Sequence, residues 1–266
     1  MKIIDFHTHI FPEAIAGKAA ENIAEFYQLK GDGLLGSVDT LLKVEKEAGV
    51  ERAAVLPVAM KPKQVHHVNE FIQRTTQEHE ELIGFSTVHA EMSDLCEETE
   101  FILRSGYHGV KIHPDMQHFA IDDLRLYPFY DMIQGKLPVL FHMGDSRYNY
   151  SNPVKLGRIL KQFPRLTCIA AHLGGLGMYD IAYDNLYEHD CFLDISSVIR
   201  LSPGEEIAKW IRAYGAERMI FGTDFPLWNP VHEVQTFQSL GLTDAELEQV
   251  GYKTAQRVIA MTEQQP

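Results

Sequence analysis

The chain begins with a short apolar run that leads into two histidines, KIIDFHTH at residues 2–9. The first part of this run, Lys2 to His7, has the composition of a buried strand. Seven similar runs follow, separated by segments with helical periodicity. They are Arg52 to Val58, Leu82 to His89, Gly109 to His113, Pro138 to His142, Leu166 to His172, Cys191 to Ser196 and Met219 to Asp224. Strands that alternate with helices predict a parallel sheet, and eight such units in 266 residues favour an α/β fold of the (β/α)8 TIM-barrel type.

The segments between the runs predict crossover helices. Glycines at Gly106 and Gly215 close two of them directly before a strand. Helices are expected at Val38 to Glu47, Val65 to His79, Asp94 to Ser105, Tyr127 to Gln134, Pro153 to Phe163 and Glu205 to Tyr214, with an inserted one at Ala14 to Leu29 and a last one at Asp244 to Met261. We expect a single domain over residues 1–266. A doubly wound open sheet competes, but no glycine-rich nucleotide motif follows any strand.

The composition is that of an ordinary globular protein, with 45% apolar and 23% charged residues. The 24 basic and 37 acidic side chains give a net charge of −13, so neither nucleic acid nor an anionic membrane surface is expected as a partner. No stretch reaches the roughly 18 to 20 apolar residues of a membrane span, and a cytoplasmic location is expected. The three cysteines lack metal-site spacing, whereas 13 histidines are an unusual supply of metal ligands.

Polar side chains that can bind metals or substrates end several of the strand-like runs. They are Asp5, His7 and His9 on the first run, Lys111 and His113 on the fourth, His142 on the fifth, His172 on the sixth and Asp224 on the eighth. In a barrel, the carboxyl ends of all strands meet at one face, where catalytic residues lie. These side chains are therefore expected to build one site.

The first run contains a His-x-His pair. Because alternate residues of a strand share a face, His7 and His9 are expected to point into the barrel mouth, with Phe6 and Thr8 pointing outward. Asp5 shares the face of His7, so its carboxylate is expected either to orient a ligand imidazole or to make a purely structural contact.

A metal centre follows from combining this pair with other strand ends. An imidazole from His142 and the carboxylate of Asp224 would complete a shell of three nitrogens and one oxygen, with one position left for water. This shell suits Zn²⁺ first, with Mn²⁺, Fe²⁺ or Co²⁺ as alternatives. Any one of these histidines alone would more often be a hydrogen-bonded core residue than a metal ligand. Their coincidence at the ends of the strands predicts a metal site.

Five ordered motifs resemble those of the amidohydrolase superfamily, in the branch related to aminocarboxymuconate semialdehyde decarboxylase and its metal-dependent hydrolase relatives. The motifs are IDFHTH at residues 4–9, GVKIHP at 109–114, VLFHMG at 139–144, AHLGG at 171–175 and FGTDFP at 221–226. They span nearly the whole chain. The resemblance suggests a homodimer and a small-molecule substrate.

Carried over to these positions, the resemblance implies that His7, His9, His142 and Asp224 bind the metal. It also places His172 beside the metal as a catalytic or substrate-polarising group, a distinction from His142 that spacing alone does not make. Related proteins with two metals use a carboxylated lysine at the end of the fourth strand, where Lys111 stands. One metal is favoured over two, because the nearest branch is mononuclear.

The expected reaction is hydrolysis of an amide, lactone or ester by metal-activated water. Asp224 would accept the proton of that water, and His172 would stabilise negative charge on the substrate oxygen. Lys111, His113 and Arg147 are predicted to bind substrate, Arg147 by clamping a carboxylate.

Two other functions remain open at this point. The resembled branch also contains nonoxidative decarboxylases with nearly the same ligands, so a metal-dependent decarboxylase of a small carboxylic acid is the alternative enzyme. An inactive barrel that serves as a binding module is the alternative of another class. The presence of all five candidate residues argues against an inactive barrel.

Overall fold

The computed structural model describes residues 1–263 of the chain. Within this range, nine short parallel strand segments form the wall of the predicted (β/α)8 barrel. They are β1 (Ile4–Thr8), β2 (Arg52–Val55), β3 (Leu82–Gly84), β4 (Ser86–Thr87), β5 (Val110–Ile112), β6 (Val139–Phe141), β7 (Cys168–Ala170), β8 (Cys191–Asp194) and β9 (Met219–Ile220). The candidate histidines of the later runs follow directly after these paired segments, at the carboxyl end of the barrel.

The third predicted strand is divided at Phe85 into β3 and β4. The amide of Phe85 donates to Val55 of β2 at 3.2 Å, whereas the amide of Ser86 donates to Gly109, before β5, at 2.9 Å. The hydrogen-bonding partner therefore changes from one neighbouring strand to the other at this residue. The single strand expected at Leu82 to His89 is wrong in this respect, although its position in the barrel is right.

The helices surround the barrel and include every one that the sequence predicts. They are α1 (Glu13–Tyr27), α2 (Val38–Ala48), α3 (Val65–Glu78), α4 (Leu95–Arg104), α5 (Pro114–Gln117), α6 (Tyr127–Ile133), α7 (Pro153–Gln162), α8 (Tyr179–Leu186), α9 (Val198–Leu201), α10 (Gly204–Tyr214), α11 (Pro230–Gln238), α12 (Asp244–Glu248) and α13 (Thr254–Glu263). The sequence misses α5, α8, α9 and α11, which are short and weakly periodic. A π-helical turn, Gln249–Lys253, divides the predicted last helix into α12 and α13.

The barrel closes between its first and last strands. The amide of Phe6 donates to the carbonyl of Phe221 at 2.9 Å, and the amide of Asp224 donates to the carbonyl of His7 at 2.8 Å. This closure brings two residues from opposite ends of the chain, His7 and Asp224, side by side.

An irregularity in β1 changes which side chains enter the barrel. The register of β1 against β2 shifts between Asp5 and Thr8. Phe6, expected to point outward, lies instead among the buried residues inside the barrel, edge to face with Phe85 at a centroid distance of 5.6 Å. Strict alternation therefore fails at the strand that carries the His-x-His pair.

A second, larger apolar cluster fills the space between the strands and the helices. Its members come from the outer faces of the strands and from the inner faces of helices such as α3, α6, α7 and α10, so the barrel wall is buried on both sides. Within residues 1–263, every helix is too short or too polar to span a bilayer.

Candidate metal centre

The side chains of His7, His9 and Asp224 converge at the carboxyl end of β1. The Nε2 atoms of the two histidines lie 3.7 and 3.4 Å from Oδ1 of Asp224. The two rings meet edge to face, with an interplanar angle of 72°, so their in-plane lone pairs can point at a common ion. The ligand atoms of all three residues lie within 4.8 Å of one another.

The other ring nitrogen of each histidine is held by a buried acceptor. Nδ1 of His7 donates to Oδ2 of Asp194 at 2.8 Å, and Nδ1 of His9 donates to the carbonyl of Leu56 at 2.6 Å. Because the proton is on Nδ1, Nε2 of each ring carries the lone pair that faces Asp224. The two unprotonated nitrogens and the carboxylate oxygen are ligand atoms that fit a divalent cation.

The third predicted ligand, His142, also has an Nε2 without a proton, which lies 3.4 Å from the hydroxyl of Tyr27 and 3.7 Å from Oδ2 of Asp115. Nδ1 of His172 lies 2.8 Å from the carbonyl of Ser196, which can only accept, so the His172 proton is on Nδ1. Nε2 of His172 then accepts from Nδ1 of His142 at 3.0 Å. Nε2 of His142 therefore has no proton. The ring of His142 lies beside the converging group but is not one of its three members.

His113 differs from these ligands in its protonation. Its Nδ1 accepts from the backbone amide of Met116 at 3.3 Å, and its Nε2 lies 2.5 Å from the hydroxyl of Tyr27. Nε2 thus donates its proton to Tyr27. The ring is stacked on that of His142 at a centroid distance of 3.9 Å and an angle of 9°, so the lone pairs of the two rings run parallel. Although His113, Asp115 and His142 form another possible ligand group, this stacking does not aim both imidazoles at one ion.

The imidazoles of His7, His113 and His142 are neutral. Burial and the nearby Lys111 lower the pKa of His7 to about 4. Burial, followed by neighbouring charges, also lowers the pKa values of His113 and His142 well below the usual range. Neutral rings are the form that binds metals.

Asp224 is held in an uncommon backbone conformation. Its φ angle is +66°, in the left-handed region that residues other than glycine rarely adopt. Its Oδ2 accepts from the hydroxyl of Ser197 at 2.5 Å, and Ser197 accepts in turn from the indole of Trp228 at 3.0 Å. Burial opposes ionisation of Asp224, but His7 and its neighbouring imidazoles outweigh burial and hold the carboxyl pKa well below its usual value.

Lys111 lies under the converging group. Its side chain is fully buried, and Nζ lies 3.1 Å from Nε2 of His7. Burial lowers the pKa of the ammonium to about 8, against the effect of the nearby carboxylates Asp194 and Asp224. A lysine at this position is close enough to a bound cation to act either as an amine or, when carboxylated, as a ligand.

Asp194 is the main site residue that our sequence reasoning missed. Besides His7, its carboxylate accepts from the backbone amides of His172 and Ser196, at 3.0 and 3.1 Å. Burial alone would raise its pKa, but these partners, His7 first, lower it well below the usual range. The sequence carried a signal for it, since Asp194 lies near the end of the seventh run and is the last residue of β8.

Asp5 supports the backbone of the site and no imidazole. Its Oδ1 accepts from the amides of His7 and Thr223, both at 3.0 Å. Its carboxyl interacts with that of Glu45 on α2, and burial raises the pKa of both, that of Asp5 to about 6. The imidazole contact considered for Asp5 is therefore wrong, because this residue faces the helix layer.

A cavity of about 230 Å³ lies above the converging group. We call its polar side the floor; it consists of His7, His9, His113, His142 and Asp224. We call the remaining lining residues the roof; they are Phe11, Ala19, Asn22, Ile23, Phe26, Tyr27, Val58, Met60 and Met116. Most of the roof belongs to α1, so the insertion caps the barrel mouth. Tyr27 was not predicted as a site residue, because nothing in the periodicity of α1 shows which side chain reaches the floor.

Arg147, predicted to hold a substrate carboxylate, does not line the cavity. Its guanidinium donates to both oxygens of Asp145, from Nε at 2.9 Å and from Nη2 at 2.6 Å. It also donates to the carbonyl of Phe26 and lies 4.7 Å from the ring of that residue. These contacts place Arg147 on the outer side of α1. Lys111 is not a lining residue either, whereas His113 is.

Comparison with known proteins gives a family and a fold. Residues 4–260 match the profile of a family described as amidohydrolase. An uncharacterised TIM-barrel protein from Bordetella bronchiseptica is 20% identical, with a TM-score of 0.82 over 99% of this chain and 100% of that one. A comparison with curated proteins gave no match.

Two further structures share the fold and have assigned activities. A dihydroxybenzoic acid decarboxylase from a Polaromonas species, with bound manganese, is 16% identical, with a TM-score of 0.77 over 98% of this chain and 97% of that one. A probable 2-pyrone-4,6-dicarboxylic acid hydrolase from Acinetobacter baumannii is 15% identical, with a TM-score of 0.67 over 98% and 100% of the two chains. At these identities the likeness concerns the fold alone.

Proposed function

Because the chain belongs to the amidohydrolase family, we propose that it is a metal-dependent hydrolase of a small amide, lactone or ester. The observation that carries the proposal is the protonation pattern of the histidines. Hydrogen bonds at Nδ1 leave Nε2 of His7 and His9 unprotonated beside the carboxylate of Asp224, and the bond to His172 leaves Nε2 of His142 unprotonated, whereas His113 carries its proton on Nε2. Two imidazole nitrogens without a proton that face one carboxylate are the ligand types of a cation site.

His7, His9 and Asp224 would hold one divalent cation, with His142 as the further ligand. Such a cation supplies Lewis acidity that makes water available as a nucleophile near neutral pH. Three nitrogens and one oxygen favour Zn²⁺, and Mn²⁺, Fe²⁺ or Co²⁺ remain alternatives. A second cation would need Lys111 in carboxylated form.

The side chains on and around the floor have different roles in the proposed reaction. Asp224 accepts the proton of the attacking water, because its carboxylate is ionised and its Oδ2 is already anchored by Ser197. Tyr27 accepts a hydrogen bond from Nε2 of His113, so its own hydroxyl hydrogen is left to donate, either to Nε2 of His142 at 3.4 Å or to a substrate oxygen. His172 holds His142 in the tautomer that leaves Nε2 free. Any effect of His172 on the charge of the substrate would be exerted through His142, because His172 is not among the residues that line the cavity.

A metal-dependent decarboxylase is the second candidate. The Polaromonas structure with this fold and bound manganese has that activity, and the floor would accept the carboxylate of a substrate as readily as an ester carbonyl. The two reactions differ in their products, since only decarboxylation releases carbon dioxide. We further propose that the protein is a homodimer and that it is located in the cytoplasm.

The deciding experiment measures metal per chain by mass spectrometry in the purified protein and in the His7→Ala/His9→Ala double variant. The matched control is His66→Ala/His67→Ala, a histidine pair at the start of α3 outside the site. We expect about one equivalent in the native and control proteins and none in the site variant. Two equivalents would indicate carboxylated Lys111 as a ligand, and failure to bind metal after reconstitution would contradict the proposal.

A further inference from the structure

The floor and the roof of the cavity have opposite chemistry. The floor presents imidazoles and one carboxylate, whereas seven of the nine roof residues are apolar. Asn22 and Tyr27 are the two polar members of the roof, and neither carries a charge near pH 7. A substrate in this cavity therefore meets a charged group on the floor only.

None of the described residues that line the cavity is a lysine or an arginine. The nearest arginine, Arg147, is already paired with both oxygens of Asp145 and with the carbonyl of Phe26. Lys111 lies beneath His7 and points at its Nε2, away from the roof. A carboxylate on the part of a substrate that faces the roof would thus lose its hydration without gaining a counter-ion.

We propose that the cavity selects a small substrate whose non-reacting part is uncharged and apolar, such as an aryl ring, while only its reacting group is polar. The volume of about 230 Å³ lies below the usual range for drug-sized ligands, so a single ring with a short substituent is the expected size. Phe26 and Met60 determine this selectivity, because they line the cavity on opposite elements, α1 and the loop after β2. This inference rests on the proposed function for its kinetic test but not for its binding test.

The kinetic test compares two esters that differ in one substituent, para-tolyl acetate and para-acetoxybenzoate. The metal-loaded protein is assayed with each, and every kcat/KM value is divided by the spontaneous hydrolysis rate of that ester to correct for the leaving group. We expect the neutral ester to be preferred at least tenfold. Hydrolysis of both esters with no preference, or with a preference for the carboxylate, would leave the hydrolase proposal standing and overturn the inference about selectivity.

The binding test needs no turnover. Calorimetry measures the affinity of the two corresponding phenols, para-cresol and para-hydroxybenzoate, for the protein with and without metal. We expect the neutral phenol to bind at least tenfold more tightly. That result without hydrolysis of either ester would support the selectivity and contradict the hydrolase proposal, whereas absence of binding by both phenols would overturn the selectivity.

A single substitution should reverse the preference. Met60 is 46% exposed at the edge of the cavity, so Met60→Arg can be accommodated and would add the missing counter-ion. We expect this variant to raise kcat/KM for para-acetoxybenzoate and the affinity for para-hydroxybenzoate at least tenfold. Met60→Gln is the matched control, since it adds polarity without charge and is expected to leave the preference unchanged. Equal effects of the two variants would argue against charge as the basis of selection.

Discussion

The floor and the roof of the cavity are held in place in different ways. All five residues of β1 are buried, and the floor histidines His7, His9 and His142 each have a hydrogen-bond partner in or directly after a strand of the barrel. In α1, by contrast, Ala16 is the one buried residue. From this difference we infer that the reactive groups belong to the rigid barrel. The surface proposed to select the substrate belongs to an insertion outside the core.

Polar contacts help to connect the C-terminal end of α1 and the segment after it to the rest of the protein. Arg147 donates to the carbonyl of Phe26 near the end of the helix. After the helix, Asp32 accepts from Nη2 of Arg200 at 3.0 Å and from the amide of Asn229 at 2.9 Å. Contacts of this kind open more easily than a buried apolar interface, so the roof is the part of the site that can move to admit a substrate.

The largest effect is expected from a floor residue. Asp224→Asn keeps the shape of the side chain but removes its charge, so it should lower metal affinity and reduce turnover by about 10³-fold or more, with the fold retained. Metal titration, steady-state kinetics and a thermal melt measure the three quantities. Full activity in this variant would show that the floor is not the reaction centre.

A smaller effect is expected from Asp194, which contacts the candidate ligand His7 and not the metal position itself. Asp194→Asn weakens the acceptor at Nδ1 of His7, and we expect metal affinity to fall by roughly 10 to 100-fold. Metal competition with a chelator measures the change. Asp190→Asn, an exposed change just before the same strand, is the control and should have no effect. Equal affinity in both variants would mean that the orientation of His7 does not depend on Asp194.

A roof substitution should affect binding rather than chemistry. Phe26→Ala removes an apolar contact with the substrate and one of the ring surfaces on which Arg147 lies, so KM should rise roughly tenfold with kcat changed less than about twofold. Ile15→Ala, on the same helix but 52% exposed, controls for loss of helix stability. A fall in kcat alone would mean that Phe26 contributes to the chemical step. It would contradict the assignment of binding to the roof and chemistry to the floor.

The smallest effect concerns stability near the contact of Asp32 with Arg200. Glu233 on α11 is buried, and Nη1 of Arg200 lies 3.9 Å from its Oε1. Burial raises the pKa of Glu233 to about 8, whereas an unfolded glutamate titrates near 4.5. The unfolded chain therefore loses this proton first, and stability should fall as pH rises from about 4.5 to about 8.

Glu233→Gln removes this titration. We expect it to raise the free energy of unfolding at pH 8, relative to pH 5, by about 1 kcal/mol or more. Denaturant unfolding at the two pH values measures the difference, and Glu205→Gln, exposed on α10, is the control. The same change at both pH values would mean that the Glu233 carboxyl is ionised throughout.

The barrel and the strand-end positions of the site could be predicted because one rule covers both. Buried parallel strands are apolar along their length, so a polar residue at the carboxyl end of a run stands out. The same rule would have found Asp194, had the support for a ligand histidine that we considered for Asp5 been considered for the carboxylate of the seventh run as well. The inward position of Phe6 could not be predicted, because it depends on a register shift in β1 that leaves no mark in the residue pattern.

The details of the roof could not be predicted for a different reason. An inserted helix is constrained by a few contacts and not by the repeat of the barrel, so the sequence does not show that Tyr27 reaches His113. Arg147 was assigned to the substrate on its charge alone, whereas Asp145, two residues earlier, already neutralises it. Protonation of the histidines likewise depends on acceptors such as Leu56 and Ser196 that lie far away in sequence.

Closure of the barrel between β1 and β9 also determines when the site can form. Asp5 and Thr223, which bond to each other beside the candidate ligands, are separated by 218 residues. During synthesis, His7 and His9 therefore leave the ribosome long before Asp224 exists, and no partial chain can present the complete group. Contacts over such distances form late in folding, so the cation would be captured as the barrel closes and would stabilise the closed form in proportion to its affinity. A cell short of the metal would accumulate chains that are complete but more readily opened.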